Sequence, residues 1–240
     1  MPTLRVSLDG AVTAMFPEVQ IRLLLAVGFD NHGPWDDVSA ALSDLEARVQ
    51  SGEWIPMKEE DPEIQVWHGA YRRFGTNPRK FRPSLDALSR RLARRGVLPR
   101  VSPVVDAYNL VSVTHGVPAG AFDVRGLGHY VTIRQSQPDD RFTPLGEPEE
   151  VEIPQPGEIV YADGHRVLTR HWNYRDADST KVTNATTEAL FCLDRAFLRP
   201  LSDDRMAEAA YALSRLLEPR AASVVGGVLD AAHTEAAFSW

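Results

Sequence analysis

The chain has 240 residues, 43% of them hydrophobic and 25% charged, which suits a soluble globular protein burying its core in one large or two small domains. Its net charge of -7 argues against a protein that coats nucleic acid non-specifically, since such binding runs on phosphate neutralisation by clustered Lys and Arg. No stretch approaches the ~18 consecutive apolar residues of a membrane span, Met-Pro-Thr-Leu-Arg lacks the apolar core of a secretory signal, and the single cysteine, Cys192, excludes an internal disulfide and a Cys-rich zinc site, so a cytoplasmic protein without a membrane partner is expected.

Along the chain, Glu18 to Leu23 alternates apolar and polar residues and merges into Leu23-Leu24-Leu25-Ala26-Val27, which predicts one strand. After Gly33-Pro34, the stripe Val38, Leu42, Leu45 and Val49 predicts a helix stopping at Ser51-Gly52. A second helix from about Pro62 to Phe74 aligns Trp67, Tyr71 and Phe74, and a third, with Ser84 as N-cap and Gly96 as its stop, turns Leu85, Leu88 and Leu92 inward. In a fourth, Val105, Tyr108, Val111 and Ser112 share a face, Asp106, Asn109 and Thr114 lie off it, and Gly116 with Pro118 ends it.

The β-branched residues between Ala121 and Arg134 predict strands. Gln137 to Gly157 is Pro-rich and reads as a loop or edge segment with a short strand at Val151 to Ile153. Glu158 to Tyr161 and Arg166 to Thr169 read as a hairpin turning at Asp163-Gly164, and Thr187 to Leu193 as a further strand. Met206, Ala210, Leu213 and Leu217 mark a helix capped near Ser202, and a last small-residue helix is expected from Val224 to Ala232. Helices first and strands later point to an α+β fold with a mostly antiparallel sheet packed with helices, in a single domain. Cys192, in an apolar run, reads as a small buried hydrophobe.

Templates for common chemistry are missing: no G-x-S-x-G, H-E-x-x-H or G-x-x-x-x-G-K-[ST] occurs, and Gly126-Leu127-Gly128 reads as a turn. His165 and His171 stand on one face of a regular strand near Asp163, but nothing fixes a further ligand, so neither metal nor cofactor is expected. Charge is concentrated instead. Arg72 to Arg100 holds ten basic residues and one acid, Asp86, leaving 32 acids against 16 bases elsewhere. That segment reads either as a face steering a polyanion or as a solvated helix face. Phe74-Gly75-Thr76-Asn77-Pro78 reads as an irregular loop whose backbone N–H groups, with Arg72, Arg73 and Arg79, could hold a phosphate or carboxylate, or as a simple interhelical turn. His171-Trp172-Asn173-Tyr174-Arg175-Asp176, followed by hydroxyl-bearing residues, could stack a ring and bond its edges, or be a polar loop anchored by its Trp.

Val104 to Asp123, VVDAYNLVSVTHGVPAGAFD, resembles the Val-Val-Asp-x-x-Asn…Gly-x-Pro-x-x-Ala-Phe-Asp sequence of the B3/B4 domain, the editing domain of the beta subunit of bacterial phenylalanyl-tRNA synthetase, and of free-standing proteins of that family. Phe74-Gly75…Pro78, Arg82-Pro83-Ser84…Leu88…Arg91, Leu98-Pro99, Glu158 to Asp163, Trp172 to Asp176 and Thr180-Lys181 continue the likeness in order, over roughly Pro62 to Leu193. It implies a B3/B4-like domain at 61–200, with an N-terminal extension at 1–60 packed on the core and C-terminal helices at 201–240. The implied partner is tRNA through its aminoacylated 3′ end, not DNA. The implied function is that of a free-standing editing protein that hydrolyses a non-cognate amino acid from tRNA without a metal, in a pocket between the central helix and the sheet; a non-catalytic tRNA or amino-acid binding module is the alternative.

On this likeness Asn109, Gly120 and Asp123 are the catalytic candidates, with backbone N–H groups of the Gly116 to Gly120 turn facing the oxyanion. Phe74, Asn77, Asp106, Pro118, Trp172, Asn173, Arg175 and Thr180 are candidates to contact the substrate, and Arg72, Arg73, Arg79, Arg90, Arg91, Arg94 and Arg95 to contact tRNA. Two positions depart from the synthetase-borne domain: Gly120 stands where it carries a His, and its strand acid falls near Phe191-Cys192, where no acid stands.

Overall fold

Residues 2–240 are described by a computed structural model in which two β-sheets share one apolar core and helices cover the outer face of the smaller sheet. The elements run β1 Thr3–Leu8, α1 Gly10–Met15, β2 Gln20–Val27, α2 Asp36–Ser51, α3 Pro62–Arg73, α4 Ser84–Arg95, α5 Pro103–His115, β3 Ala119–Asp123, β4 Tyr130–Gln135, β5 Ile159–Asp163, β6 Arg166–Arg170, β7 Arg175–Asp176, β8 Glu188–Arg195, α6 Asp203–Leu217, β9 Ser223–Asp230 and β10 Glu235–Ser239. The larger sheet has the order β10-β1-β4-β5-β6-β7 and the smaller β3-β8-β2-β9. Every pairing between named strands is antiparallel except β1 with β4, which makes the fold α+β.

Period-2 geometry sorts the side chains of the smaller sheet between two cores. From β2, Ile21, Leu23 and Leu25 enter the core between the sheets, while Leu24 and Ala26 face α2, α5 and α6. Burial on both faces is why this strand reads as an unbroken apolar run. On β8 the same rule sends Ala189, Phe191 and Leu193 to the helices and Leu190, Cys192 and, next along, Asp194 toward the other sheet. The back of the larger sheet, Val160, Ala162 and Val167, is covered by Phe142 of the Pro-rich segment and by Ala177.

The predicted helices α2 to α6 form, and α5 ends at Gly116, whose φ of 71° is the left-handed conformation that C-terminal glycines supply. Several local expectations are corrected. Ser84 is the first helical residue of α4 and Pro83 occupies the cap, leaving the Ser84 hydroxyl unbonded. The hairpin turns at Gly164-His165, because Asp163 still pairs with Arg166. Val151 and Ile153 are exposed, and only Glu152 makes a bridge, to Phe142. The expected helix from Val224 to Ala232 is instead β9, followed by β10: Gly226 and Gly227 disfavour a helix, Val224, Val225 and Val228 suit a strand, and β2 offers an edge to pair. Thr3–Leu8, although Leu4, Val6 and Leu8 alternate inward, was not foreseen; it lies inside the larger sheet between β10 and β4, so residues 1–60 supply interior strands to both sheets.

Gly126 tests this packing. A Cβ there would stand 2.3 Å from the Ser179 carbonyl oxygen, a backbone atom that cannot swing away, whereas at Gly10 a Cβ meets nothing within 4 Å. Gly126→Ala is expected to destabilise the protein by about 1–3 kcal/mol, as overpacking does, and Gly10→Ala to leave the melting temperature almost unchanged; thermal denaturation followed by circular dichroism checks both.

Candidate functional site

Between the two sheets, where β3, β5, β6 and β8 come together with the turn after β6 and the start of α4, lies a cavity of ≈ 60 Å³. Each wall follows from strand alternation. Gly120 of β3 pairs directly with Cys192 of β8, and a Cβ at Gly120 would meet nothing within 4 Å. Asp194 follows two residues later on the same face and is 4% exposed. The Tyr161 hydroxyl of β5 donates to Asp194 Oδ1 at 2.5 Å. Across the cavity, the Thr169 hydroxyl donates to Asp176 Oδ1 at 2.7 Å.

Desolvation pushes the Asp194 carboxyl up to about 7, against the lowering effect of donors from Tyr161, Asn173 and Trp172. Asp176 lines the cavity and keeps part of its surface exposed, yet enough protein surrounds its carboxyl to lift it to about 6. The Asp176 charge adds to the upward shift of Asp194 through repulsion. Burial raises the Cys192 thiol well above its ordinary range, so it remains protonated and is no nucleophile.

The turn after β6 is strained. His171 and Trp172 have φ values of 48° and 71°, a left-handed backbone that non-glycine residues seldom take and that surrounding structure must enforce. Enforcement is visible on every side: the Trp172 amide donates to the Ile159 carbonyl at 2.6 Å, and its ring packs edge-on against Phe16 and Trp67 at 5.1 and 5.2 Å. His171 lies under Phe81, with ring centroids 4.1 Å apart, and beside Arg170, which clasps Glu158 through two bonds of 2.9 and 2.8 Å. Desolvation and then the Arg170 and Lys80 charges lower the His171 imidazole to about 3, so it is neutral. Since Arg170 can only donate, His171 Nε2 accepts from it at 3.3 Å and Nδ1 carries the proton, facing Thr76 and Glu158 at 2.9 and 3.1 Å.

Three donors at the cavity are left without an acceptor. Asn173 Oδ1 accepts from the Tyr71 hydroxyl at 2.8 Å, but its Nδ2 has no bonded partner, and neither do Trp172 Nε1 and Ser84 Oγ. The first two are directed at Asp194 without closing a bond to it. Buried polar groups are normally paired, so unpaired ones around a cavity mark a place for an acceptor-bearing ligand.

Of the catalytic and substrate-contact candidates, Gly120, Trp172 and Asn173 line the cavity, joined by Tyr174 and Asp176 of the same polar run. The others do not. Asn109 is buried on α5, a helix that contributes no lining residue, so the sheets rather than the central helix floor the cavity. Asp123 is held by Arg125 and by the Thr186 hydroxyl at 2.6 Å. Phe74 belongs to the core and touches Trp172 from behind. Asp106 accepts from the Val101 amide at 2.9 Å, the Pro118 carbonyl accepts from the Asp194 amide at 3.0 Å, Arg175 pairs with Glu147, and Thr180 is buried beyond the cavity. Asn77 borders a separate open basin with Arg72 and Arg79.

The arginines divide as well. Arg79 and Arg90 are tied to Glu59, Arg90 also to Asp86, and Arg73 lies over the Phe16 and Phe197 rings. Arg72, Arg91, Arg94 and Arg95 are exposed, with no ion pair among the described residues. α4 begins at the cavity with Ser84, which sets Arg91 to Arg95 about 10–17 Å further along its axis. His165 is exposed and His171 buried, and no group of three or more His, Cys, Asp or Glu among the described residues could hold a metal ion.

Sequence reading missed Tyr161, Thr169, Cys192 and Asp194 as parts of the site, and named Asp176 only within the polar run from His171 to Asp176. An acid does stand two residues beyond Cys192: Asp194, on the cavity face of β8.

Residues 66–214 match the family described as the B3/4 domain. A phenylalanine–tRNA ligase beta subunit from Anaeromyxobacter dehalogenans (strain 2CP-C) is 32% identical over 149 residues, 58% of this chain and 18% of that protein. Its counterpart from Colwellia psychrerythraea (strain 34H / ATCC BAA-681) is 35% identical over 102 residues, 42% of this chain and 12% of that protein. The chain thus spans less than a fifth of the length of these relatives. The crystal structure of an N-terminal fragment of the phenylalanyl-tRNA synthetase beta subunit from Pyrococcus horikoshii aligns with a TM-score of 0.46 at 12% identity, over 98% of this chain and 54% of that one.

The burial of Asp194 has a measurable signature. Its carboxyl is raised in the folded state relative to an unfolded value near ~3.9, so the folded protein holds the proton more tightly and its stability contribution is lost as pH rises from about 4 through 7. Asp194→Asn removes that dependence. Urea denaturation at pH 5, 6, 7 and 8 is expected to show the variant gaining on the native chain as pH rises, most of the gain falling below about pH 7; a pH-independent difference would mean that the carboxyl is not desolvated.

Proposed function

We propose that this chain, which belongs to the B3/4 domain family, is a free-standing editing protein that hydrolyses the ester joining a non-cognate amino acid to tRNA. The reading is carried by one arrangement: a buried carboxyl, Asp194, lifted by desolvation to about 7, in a cavity where Trp172 Nε1 and Asn173 Nδ2 are directed at it without closing a bond and Ser84 Oγ has no partner. An aminoacyl ester brings an ammonium group and a carbonyl oxygen, the two things such a cavity lacks. It is also already activated, so a positioned water suffices where proximity alone is worth up to ~7–11 kcal/mol, and no metal is called on.

In this reading Tyr161 occupies Asp194 Oδ1 and leaves Oδ2 to take a proton from water. The water oxygen bonds to the ester carbon and the carbonyl electrons move onto its oxygen, which accepts from Asn173 Nδ2 and Ser84 Oγ; one such donor is typically worth ~3–4 kcal/mol. Collapse breaks the ester C–O bond, and the ribose oxygen leaves with the proton held by Asp194. Asp176, held by Thr169, receives the substrate ammonium. A base titrating near neutrality is suited to this exchange. Arg72, Arg91, Arg94 and Arg95 meet backbone phosphates of the acceptor stem, whereas Asn109 and Asp123 carry no step.

Purified protein mixed with mischarged tRNAs tests this. Asp194→Asn is expected to lower release by about 100-fold or more, the usual scale for a general base, while tRNA binding persists. The native rate should climb with pH around a midpoint near 7, as an acid that must lose its proton requires, and the climb should vanish in the variant. Undiminished release from Asp194→Asn would end the assignment. Retention of aminoacyl-tRNA without release would favour the binding module, the reading supported by Gly120 in place of the family's His.

Reversing Arg91, Arg94 and Arg95 to Glu should weaken tRNA binding and flatten its dependence on log salt by about 2–3, at ~0.7–0.9 for each phosphate no longer neutralised, with the melting temperature kept. Unchanged binding would refute this placement of the acceptor stem. Arg90 is left out because Asp86 and Glu59 hold it.

A further inference from the structure

The dimensions of the cavity say more about the amino acid. At ≈ 60 Å³ it is well under half the about 150 Å³ that accepts a benzene ring. Four aromatic residues line it, and apart from the half-exposed Tyr174 they are locked. Trp172 is wedged edge-on between Phe16 and Trp67; Tyr161 is tied to Asp194 and rests on Phe122 at 5.5 Å; Phe122 itself is 3% exposed. Interiors packed this closely do not yield a ring-sized space without displacing several side chains together. There is room beside Gly120, where a Cβ would touch nothing within 4 Å.

Resting on the hydrolytic reading above, we infer that the amino acid removed has a small side chain, no larger than that of threonine, and is not aromatic. The side chain enters beside Gly120, facing Cys192, while the ammonium group lies toward Asp176 and the ester carbonyl toward Asn173 and Ser84. A site of this kind is a size sieve that acts in one direction: it hydrolyses what is small enough to enter and spares the larger group by exclusion. Gly120 is then a specificity-determining position, because any side chain there takes the space the substrate needs.

The experiment uses the full chain and one tRNA charged in separate preparations with alanine, serine, phenylalanine and tyrosine, following release of the amino acid. Alanine or serine is expected to leave at least 10-fold faster than either aromatic residue. Gly120→Val, a change compatible with a strand, is expected to lower alanine release at least 10-fold with its melting temperature kept. Aromatic release equal to or faster than that of alanine would overturn the size assignment while leaving hydrolysis intact, as would full alanine release by Gly120→Val. Release from none of the four would bring down hydrolysis itself, and this inference with it.

Discussion

A carboxyl enclosed between two sheets is costly unless something answers it, and Asp194 is answered by one short bond from Tyr161 and by two N–H groups that do not quite reach. Much of the molecule is organised around that arrangement. The apolar inner faces of both sheets exclude water from the acid and raise it into the neutral range; the Pro118 carbonyl, accepting from the Asp194 amide, fixes its place at the end of β8. A surface aspartate at the same sequence position would be an ordinary carboxylate.

The strained turn at His171 and Trp172 makes sense beside this acid. Left-handed backbone at two consecutive non-glycine residues costs of order 1–3 kcal/mol each, and the neighbouring contacts hold it: Trp67 and Phe16 around the indole, Phe81 over the imidazole, and Arg170 gripping Glu158 beneath. What the strain achieves is placement, with an indole N–H, an amide and the head of α4 turned to one small volume. The Arg170–Glu158 pair, joined by Glu152 from the Pro-rich segment, also ties the cover of the larger sheet to the same turn. A loop with no regular structure of its own is thereby fastened to the site.

The charge asymmetry along the chain survives folding only in part. Glu59 and Asp86 neutralise Arg79 and Arg90, and the aromatic rings of Phe16 and Phe197 accept Arg73, so a segment dense in arginine presents a narrower exposed set than its composition suggests. Asp86, one helical turn away, together with Glu59, Phe16 and Phe197 from outside the segment, decides which cations remain available to a polyanion.

Local chemistry by itself determined most of the helices and several strands of this protein: the apolar stripe of α2, the glycine that ends α5, the doubly buried run of β2 and the β5–β6 hairpin are all consequences of near neighbours. The polar run after β6 also marked Trp172, Asn173 and Asp176, while Gly120 was marked by the family likeness alone. Tertiary structure decided the rest. β9, whose glycines and valines tolerate a strand as well as the helix expected of small residues, is settled as a strand by the edge β2 offers; Asn109 and Asp123, conspicuous in the chain, are buried or bonded within the packing; and Asp176, Cys192 and Asp194 become one site only when strands distant in sequence align in register. The physical reason is that side-chain direction follows from local periodicity, whereas burial, and with it the protonation of Asp194 and the volume of the cavity, depends on what the rest of the chain places on the other side.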